Sequence, residues 1–244
     1  MASLTAHLLL AWLVAAPSAF LARHAHVPAP PPRILNVVRH KLKPGTSHSY
    51  ETLETAIVSA YEQAHVQVFW IMLQSRSDAT DIVYLNVADS LEQWDEMGAR
   101  YRRAAAEHPE LEKMSARLAT FIDRSTSTLT TRLEEVPFSS AAVDLQTMRA
   151  LRLTVFEVSP GHEGRFVRAA RRAASRTSPW LLYEANDSPT FILVAPMRAT
   201  SHTKKAPAIP RHLQDLKGGP SATETGVYTV RPLMSHPPKG WKLR

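Results

Sequence analysis

The chain has 244 residues, a formal net charge of +7, 44% hydrophobic residues and no cysteine. That length allows one or two domains whose core needs no metal or disulfide staple. The missing cysteine excludes disulfides, thiolate metal sites and a cysteine nucleophile.

The first 22 residues contain no Asp, Glu, Lys or Arg, and Leu8 to Ala16 is an unbroken apolar run. The run is too short to span a bilayer, which takes about 20 residues. It suits the core of a signal peptide, with Ala16, Ser18 and Ala19 as small residues for cleavage. We therefore expect a signal peptide over 1–22, a secreted or periplasmic location, and no membrane contact after cleavage. A proline-rich linker, 23–32, follows as a semi-rigid tether. It holds His24 and His26, too few ligands to define a metal site.

Two similar units follow, over 33–138 and 148–234. In the first, Ile34 to Leu42 has strand character and stops at Pro44-Gly45, because proline lacks a ladder donor and glycine permits the turn. Thr46 or Ser47 can cap the next helix, where Tyr50, Leu53, Ile57, Ala60, Tyr61 and Ala64 recur at helical steps. Val66 to Leu73 and Ile82 to Val87 read as a hairpin around Asp78 to Asp81. Ser90 can cap a second helix carrying Leu91, Trp94, Met97 and Tyr101, which Pro109 interrupts before it resumes to Phe121. Ser125 to Leu133 alternates and is rich in threonine, as a half-exposed strand is.

The second unit repeats this order. Arg149 to Val158 is a strand ending before Pro160-Gly161. Phe166, Ala169, Ala170 and Ala173 form a helix stripe. Trp180 to Glu184 and Phe191 to Ala195 make a hairpin, Pro207 to Leu216 a short helix, and Gly226 to Leu233 the last strand. Residues 235–244 read as a flexible tail. Pro44-Gly45 and Pro160-Gly161 stand 116 positions apart, and Trp70 and Trp180 stand 110 apart. The repeated β-α-β-β-α-β order predicts an α+β fold: two ferredoxin-like units forming an intrachain α/β barrel.

On these features the chain resembles the dimeric α/β-barrel superfamily, which includes the antibiotic-biosynthesis monooxygenase-like and NIPSNAP-like proteins. The carriers are Leu42-Lys-Pro-Gly45 and Val158-Ser-Pro-Gly161, each closing a strand and opening a helix, and the hairpins after them. The resemblance implies two sheets face to face with a ligand between them. For haem-degrading members it implies an Asn on the first strand and a Trp and a His on the second helix. Asn36, Trp94 and His108 stand in that order, so haem is the one cofactor to test; the residues themselves call for none.

Side chains alternate between the faces of a strand. Leu35, Val37, Arg39 and Lys41 form one set, matched by Leu151, Leu153, Val155 and Glu157. Being aliphatic in its middle, this set is expected to cover the helices. The other set mixes polar and apolar groups, as a ligand pocket does. It predicts a pocket between the sheets lined by Asn36, His40, Tyr84 and Asn86 from the first unit and by Arg152, Thr154 and Glu184 from the second. Trp70 and Trp180 would add apolar area. Arg152, with Glu184 or a ligand carboxylate as partner, is the key residue of that placement.

Arg165, Arg168, Arg172 and Arg176 share a helical face that reads as solvated. No strand motif with stacking aromatics supports RNA binding, so no nucleic-acid partner is expected. No GxSxG, HExxH, Walker or dinucleotide glycine pattern occurs. Three classes follow: a binder of a small apolar or amphipathic molecule, a small-molecule monooxygenase (cofactor-free or haem-dependent), or a structural or partner-binding protein with no pocket. The sequence does not set the oligomeric state.

Overall fold

A computed structural model of the chain describes residues 30–139, 143–175, 178–197, 213 and 221–243. The expected signal peptide, most of the linker, and the helix over 207–216 apart from buried Leu213 lie outside the described residues.

The elements run β1 (Ile34–Leu42), α1 (Ser47–Gln63), β2 (Ile71–Ser75), β3 (Asp81–Ala88), α2 (Leu91–Glu107), α3 (Pro109–Ala119) and β4 (Ile122–Arg132) in the first unit. The second holds β5 (Ala150–Glu157), α4 (Glu163–Ala173), β6 (Leu181–Ala185), β7 (Thr190–Met197) and β8 (Ser221–Val230), and a single 3-10 turn follows at Pro232–Met234. The strands form a closed barrel in the order β1-β3-β2-β8-β5-β7-β6-β4. All of its pairs are antiparallel. Each unit keeps the ferredoxin-like order of its four strands, and the two sheets join edge to edge through β2 with β8 and β4 with β6. Closure leaves no free sheet edge.

Local chemistry sets the element ends. Gly45 and Gly161 both sit at positive φ, +80° and +84°. Each allows the left-handed corner that swings a first strand into its helix. Ser90 caps α2, its hydroxyl accepting from the Gln93 N–H at 3.2 Å. Pro109 occupies the first turn of α3, where its missing N–H costs nothing, so the interruption expected at that proline is a break between two helices. Thr46 is the N-cap of α1, but its hydroxyl donates back to the Lys43 carbonyl at 2.8 Å and makes no cap bond. Residues 66–69, expected as strand, are irregular; Trp70 instead bridges to His236.

The register decides which face is enclosed, and it inverts the expected assignment. Leu35 and Val37 of β1 pack with Val83, Leu85, Leu151, Leu153, Ile192 and Val194 in one buried cluster drawn from both units. The interior between the sheets is therefore filled with aliphatic side chains. An eight-stranded barrel is narrow enough for side chains to fill it. The mixed set faces outward, onto α1–α3 in the first unit and onto α4 in the second. The predicted pocket between the sheets is absent among the described residues, and a packed interior stands in its place.

The ends of the barrel are closed differently. At one, Arg39 makes a two-pronged ion pair with buried Asp81 (2.6 and 2.8 Å) and contacts Glu224, while the Tyr228 hydroxyl donates to Asp81 at 3.1 Å. This network joins β1 and β3 to β8 of the other unit. Elsewhere in the interior cluster, Val143, Leu145, Met148 and Leu243 are buried and Trp241 packs against them. The flexible tail expected from residue 235 is thus corrected. Ser235 and Leu243 are buried, and the Lys242 N–H donates to Gln146 at 2.9 Å.

Candidate functional site

A cavity of about 830 Å³ opens on the outer face of the first unit, between its sheet and α1–α3. Tyr61, Phe69, Trp70, Trp94 and Tyr101 give it aromatic walls, and Val38, Ile57, Met97 and Leu118 add aliphatic area. Four predicted residues, His40, Trp70, Tyr84 and Asn86, line it. Asn36 lies on the same sheet face but is not in the lining; it is buried and accepts from the Ser127 hydroxyl at 3.0 Å.

The other predicted residues are not brought to this site. Arg152, Thr154, Trp180 and Glu184 belong to the outward face of the second unit. Arg152 pairs in register with Ala195, Thr154 with Leu193 and Glu184 with Phe191, all three partners in the second unit's own core. Thr154 and Trp180 are buried there. Glu184 sits near Glu135 and Glu163, and burial together with those carboxylates raises its pKa. Arg152 and Glu184 stand on strands separated by β7. The expected partnership of Arg152 with Glu184 in an inter-sheet pocket is therefore not formed.

A chain of polar groups runs along the buried wall. The His40 Nδ1 lies 3.0 Å from the Tyr50 hydroxyl, which lies 2.6 Å from the Tyr84 hydroxyl. Tyr84 in turn reaches Glu54, a cavity-lining carboxyl that is only 3% exposed. Burial pushes the Glu54 pKa up to about 7, opposed in part by hydrogen bonding from Tyr84 and Trp70. The Trp70 N–H also donates to the Met234 carbonyl at 3.0 Å. Burial lowers the His40 pKa to about 4. Each hydroxyl carries one proton. When Tyr84 donates to ionised Glu54, Tyr50 donates to Tyr84 and the His40 Nδ1–H donates to Tyr50, so every link is satisfied with neutral histidine.

The same positions in the second unit are apolar. The 116-residue offset places Phe156 at the position of His40, Phe166 at that of Tyr50 and Ala170 at that of Glu54. Register places Leu193 at that of Tyr84, since Tyr84 pairs with Val38 and Leu193 with Thr154. All four are buried in one hydrophobic cluster, with Phe166 packed on Phe156 and Phe191 at ring distances of 5.2 and 4.6 Å. The fold is thus built in the same molecule without the polar chain, so the chain is not a requirement of the fold.

Tyr50 and Glu54 were not among the predicted site residues. The signal was a carboxylate one turn from Tyr50 and three and four residues before Ile57 and Val58, on the face of α1 that had to be buried. The residues expected for haem do not converge. Trp94 lines the cavity, whereas His108 joins α2 to α3 outside the lining, with its Nδ1 3.4 Å from Glu110. These three do not fit a single haem site. Among the described residues no group of three His, Asp or Glu could hold a metal ion.

The architecture is that of the dimeric α/β-barrel proteins, with both ferredoxin-like units in one chain. Solved structures show the likeness. A candidate monooxygenase from Fusobacterium nucleatum aligns over 86% of this chain and 96% of its own, with a TM-score of 0.51 at 10% identity. An anthrone oxidase-like protein aligns over 84% and 94%, with a TM-score of 0.50 at 12% identity. A chlorite dismutase variant from Candidatus Nitrospira defluvii aligns over 82% and 92%, with a TM-score of 0.50 at 11% identity. No family model and no curated protein matches the sequence. At these identities the likeness defines the fold alone.

Proposed function

We propose that the protein binds a small, largely apolar or amphipathic molecule in the outer cavity of its first unit. One observation carries this reading. An 830 Å³ aromatic-walled cavity with a polar chain in its wall stands where the second unit has a solid Phe156–Phe166–Leu193 core. Ligand sites combine such apolar lining with a few placed polar groups. Native mass spectrometry of protein from its own host tests it. The wild type should retain a ligand, and Gly98→Phe, which fills the cavity from α2, should release it while remaining folded. No retained ligand, or one unaffected by that filling, counts against the reading.

A second reading, a cofactor-free monooxygenase, is favoured by the proton acceptor Glu54 in the cavity wall, and one of the fold neighbours is named a monooxygenase. Oxygen-dependent turnover of an aromatic substrate by the purified chain separates it from simple binding. Export is part of the proposal and rests on the apolar run Leu8–Ala16. Mature protein beginning near residues 19–24 would support it; a cytoplasmic chain with Met1 intact would reject it.

A further inference from the structure

We infer that the ligand of this cavity is an organic ammonium ion, its charged head paired with Glu54 and its body held between the aromatic walls. The inference rests on the binding reading above and names the chemistry that the site selects.

Glu54 is the buried charge-bearing group of the lining. It is 3% exposed and lines the cavity. Among the described residues no cation lies within ion-pair distance of it. A buried carboxyl takes up a proton unless an opposite charge or full hydrogen bonding holds it ionised. Tyr84 and Trp70 satisfy it only in part, since burial still outweighs them. A cationic ligand would supply the missing charge.

The walls fit the same ligand. The face of an aromatic ring attracts a cation through its quadrupole, most strongly away from water. Tyr61 stands edge-on to Trp70 at 5.2 Å and stacks on Tyr101 at 6.3 Å, and Trp94 lines the same cavity. An anionic ligand would meet Glu54 as a like charge. A neutral ligand would leave it to take up a proton, whereas a cation holds it ionised as a counter-charge.

The other charged and titratable groups do not supply the pair. Arg102 of α2 and Asp123 of β4 line the exposed part of the cavity with opposite signs. His40 of β1 is neutral above about pH 4. Tyr50, Tyr61 and Tyr84 are held protonated by burial. His236, on the chain after β8, turns its Nδ1 to the Val68 carbonyl at 2.5 Å.

The test uses the full chain and a matched pair of probes. Phenyltrimethylammonium and tert-butylbenzene share a shape and differ in charge. Calorimetric titration should show the cation bound about tenfold or more tightly than its neutral twin. Glu54→Gln should erase most of that preference and leave tert-butylbenzene unchanged. In the wild type, affinity for the permanently charged probe should rise with pH through the range where Glu54 ionises, while that of the neutral probe stays flat. Equal binding of the two probes, or a cation affinity indifferent both to Glu54→Gln and to pH, overturns the ammonium assignment and leaves the cavity as a binder of neutral molecules. Binding of neither probe overturns the assignment and the binding reading together.

Discussion

The phenol oxygens of Tyr50 and Tyr84 lie 2.6 Å apart inside the core of the first unit. Neither has solvent to turn to, because Tyr50 is fully buried and Tyr84 is 8% exposed. Removing either hydroxyl strands the other link. Tyr84→Phe should cost about 1–3 kcal/mol of stability, the penalty for unsatisfied buried groups. It should also raise the Glu54 pKa further, since Tyr84 stabilises the ionised carboxyl. Urea unfolding gives the first quantity and a carboxyl-resolved infrared titration the second. A variant with unchanged stability and an unchanged Glu54 midpoint would break the chain at that link.

Glu54 also sets a loss of stability as pH rises between about 4.5 and 7. Its folded pKa, about 7, lies above the value of about 4.5 that it has when unfolded. The folded state therefore binds the proton more tightly, and the benefit present below the unfolded pKa is lost as pH rises through about 7. Glu54→Gln, permanently neutral, should be more stable than the wild type by about 3 kcal/mol near pH 8 and close to it near pH 4.5. Parallel denaturant midpoints at those two pH values check this.

His40 acts in the opposite direction. Its folded pKa, about 4, lies below its unfolded value of 6.5. The stability it permits is present above the unfolded pKa and is lost as pH falls toward about 4. Because the two windows overlap between about pH 4.5 and 6.5, the slopes largely offset there; His40→Asn should remove its share and leave the decline with rising pH that Glu54 sets uncompensated. If stability between about pH 4 and 6.5 keeps the wild-type pH dependence after the substitution, His40 contributes no slope of its own.

Gly226 lies under the ring of Tyr228. A Cβ at Gly226 would stand 2.5–2.7 Å from the Tyr228 ring and hydroxyl. Alanine there must push the ring off Asp81, the acceptor of its hydroxyl. Gly226→Ala should destabilise by about 1–3 kcal/mol. The cost should shrink in a Tyr228→Ala background, a coupling that a double-mutant cycle measures.

Arg39 ties β1 to Asp81 of its own unit and to Glu224 of the other. Arg39→Met should cost about 2–3 kcal/mol, below the full price of orphaning a buried charge because Arg39 is itself about a third exposed. The loss should appear as a single cooperative transition if the two units unfold together. Two separate transitions in calorimetry would show that the barrel seam does not couple them.

The periodicity of the two units carried the element order, the Pro-Gly corners and the parity of each strand. Those are local properties, set by φ/ψ sterics and alternation. What alternation cannot say is which face a closed sheet encloses. Leu35 and Val37 fit a helix-covered face and a barrel interior equally well, and only the pairing of β2 with β8 and β4 with β6 decides between them. Within the site, His40, Trp70, Tyr84 and Asn86 were legible because they share a strand face with polar neighbours. Tyr50 and Glu54 were hidden because a tyrosine and a glutamate on a helix read as stripe and solvent face until the sheet is laid against them. Arg152 and Glu184 were placed with the wrong unit by the inverted face.

Joining both units in one chain has a consequence for how the two halves can change. In a symmetric dimer every substitution appears twice, so a site gained or lost on one side is gained or lost on the other. Here Phe166 and Ala170 pack one half solid while Glu54, at the position of Ala170, lines a cavity in the other. The barrel seam lets the rigid half hold the open one in shape. The second unit is packed solid at the positions where the first leaves a cavity.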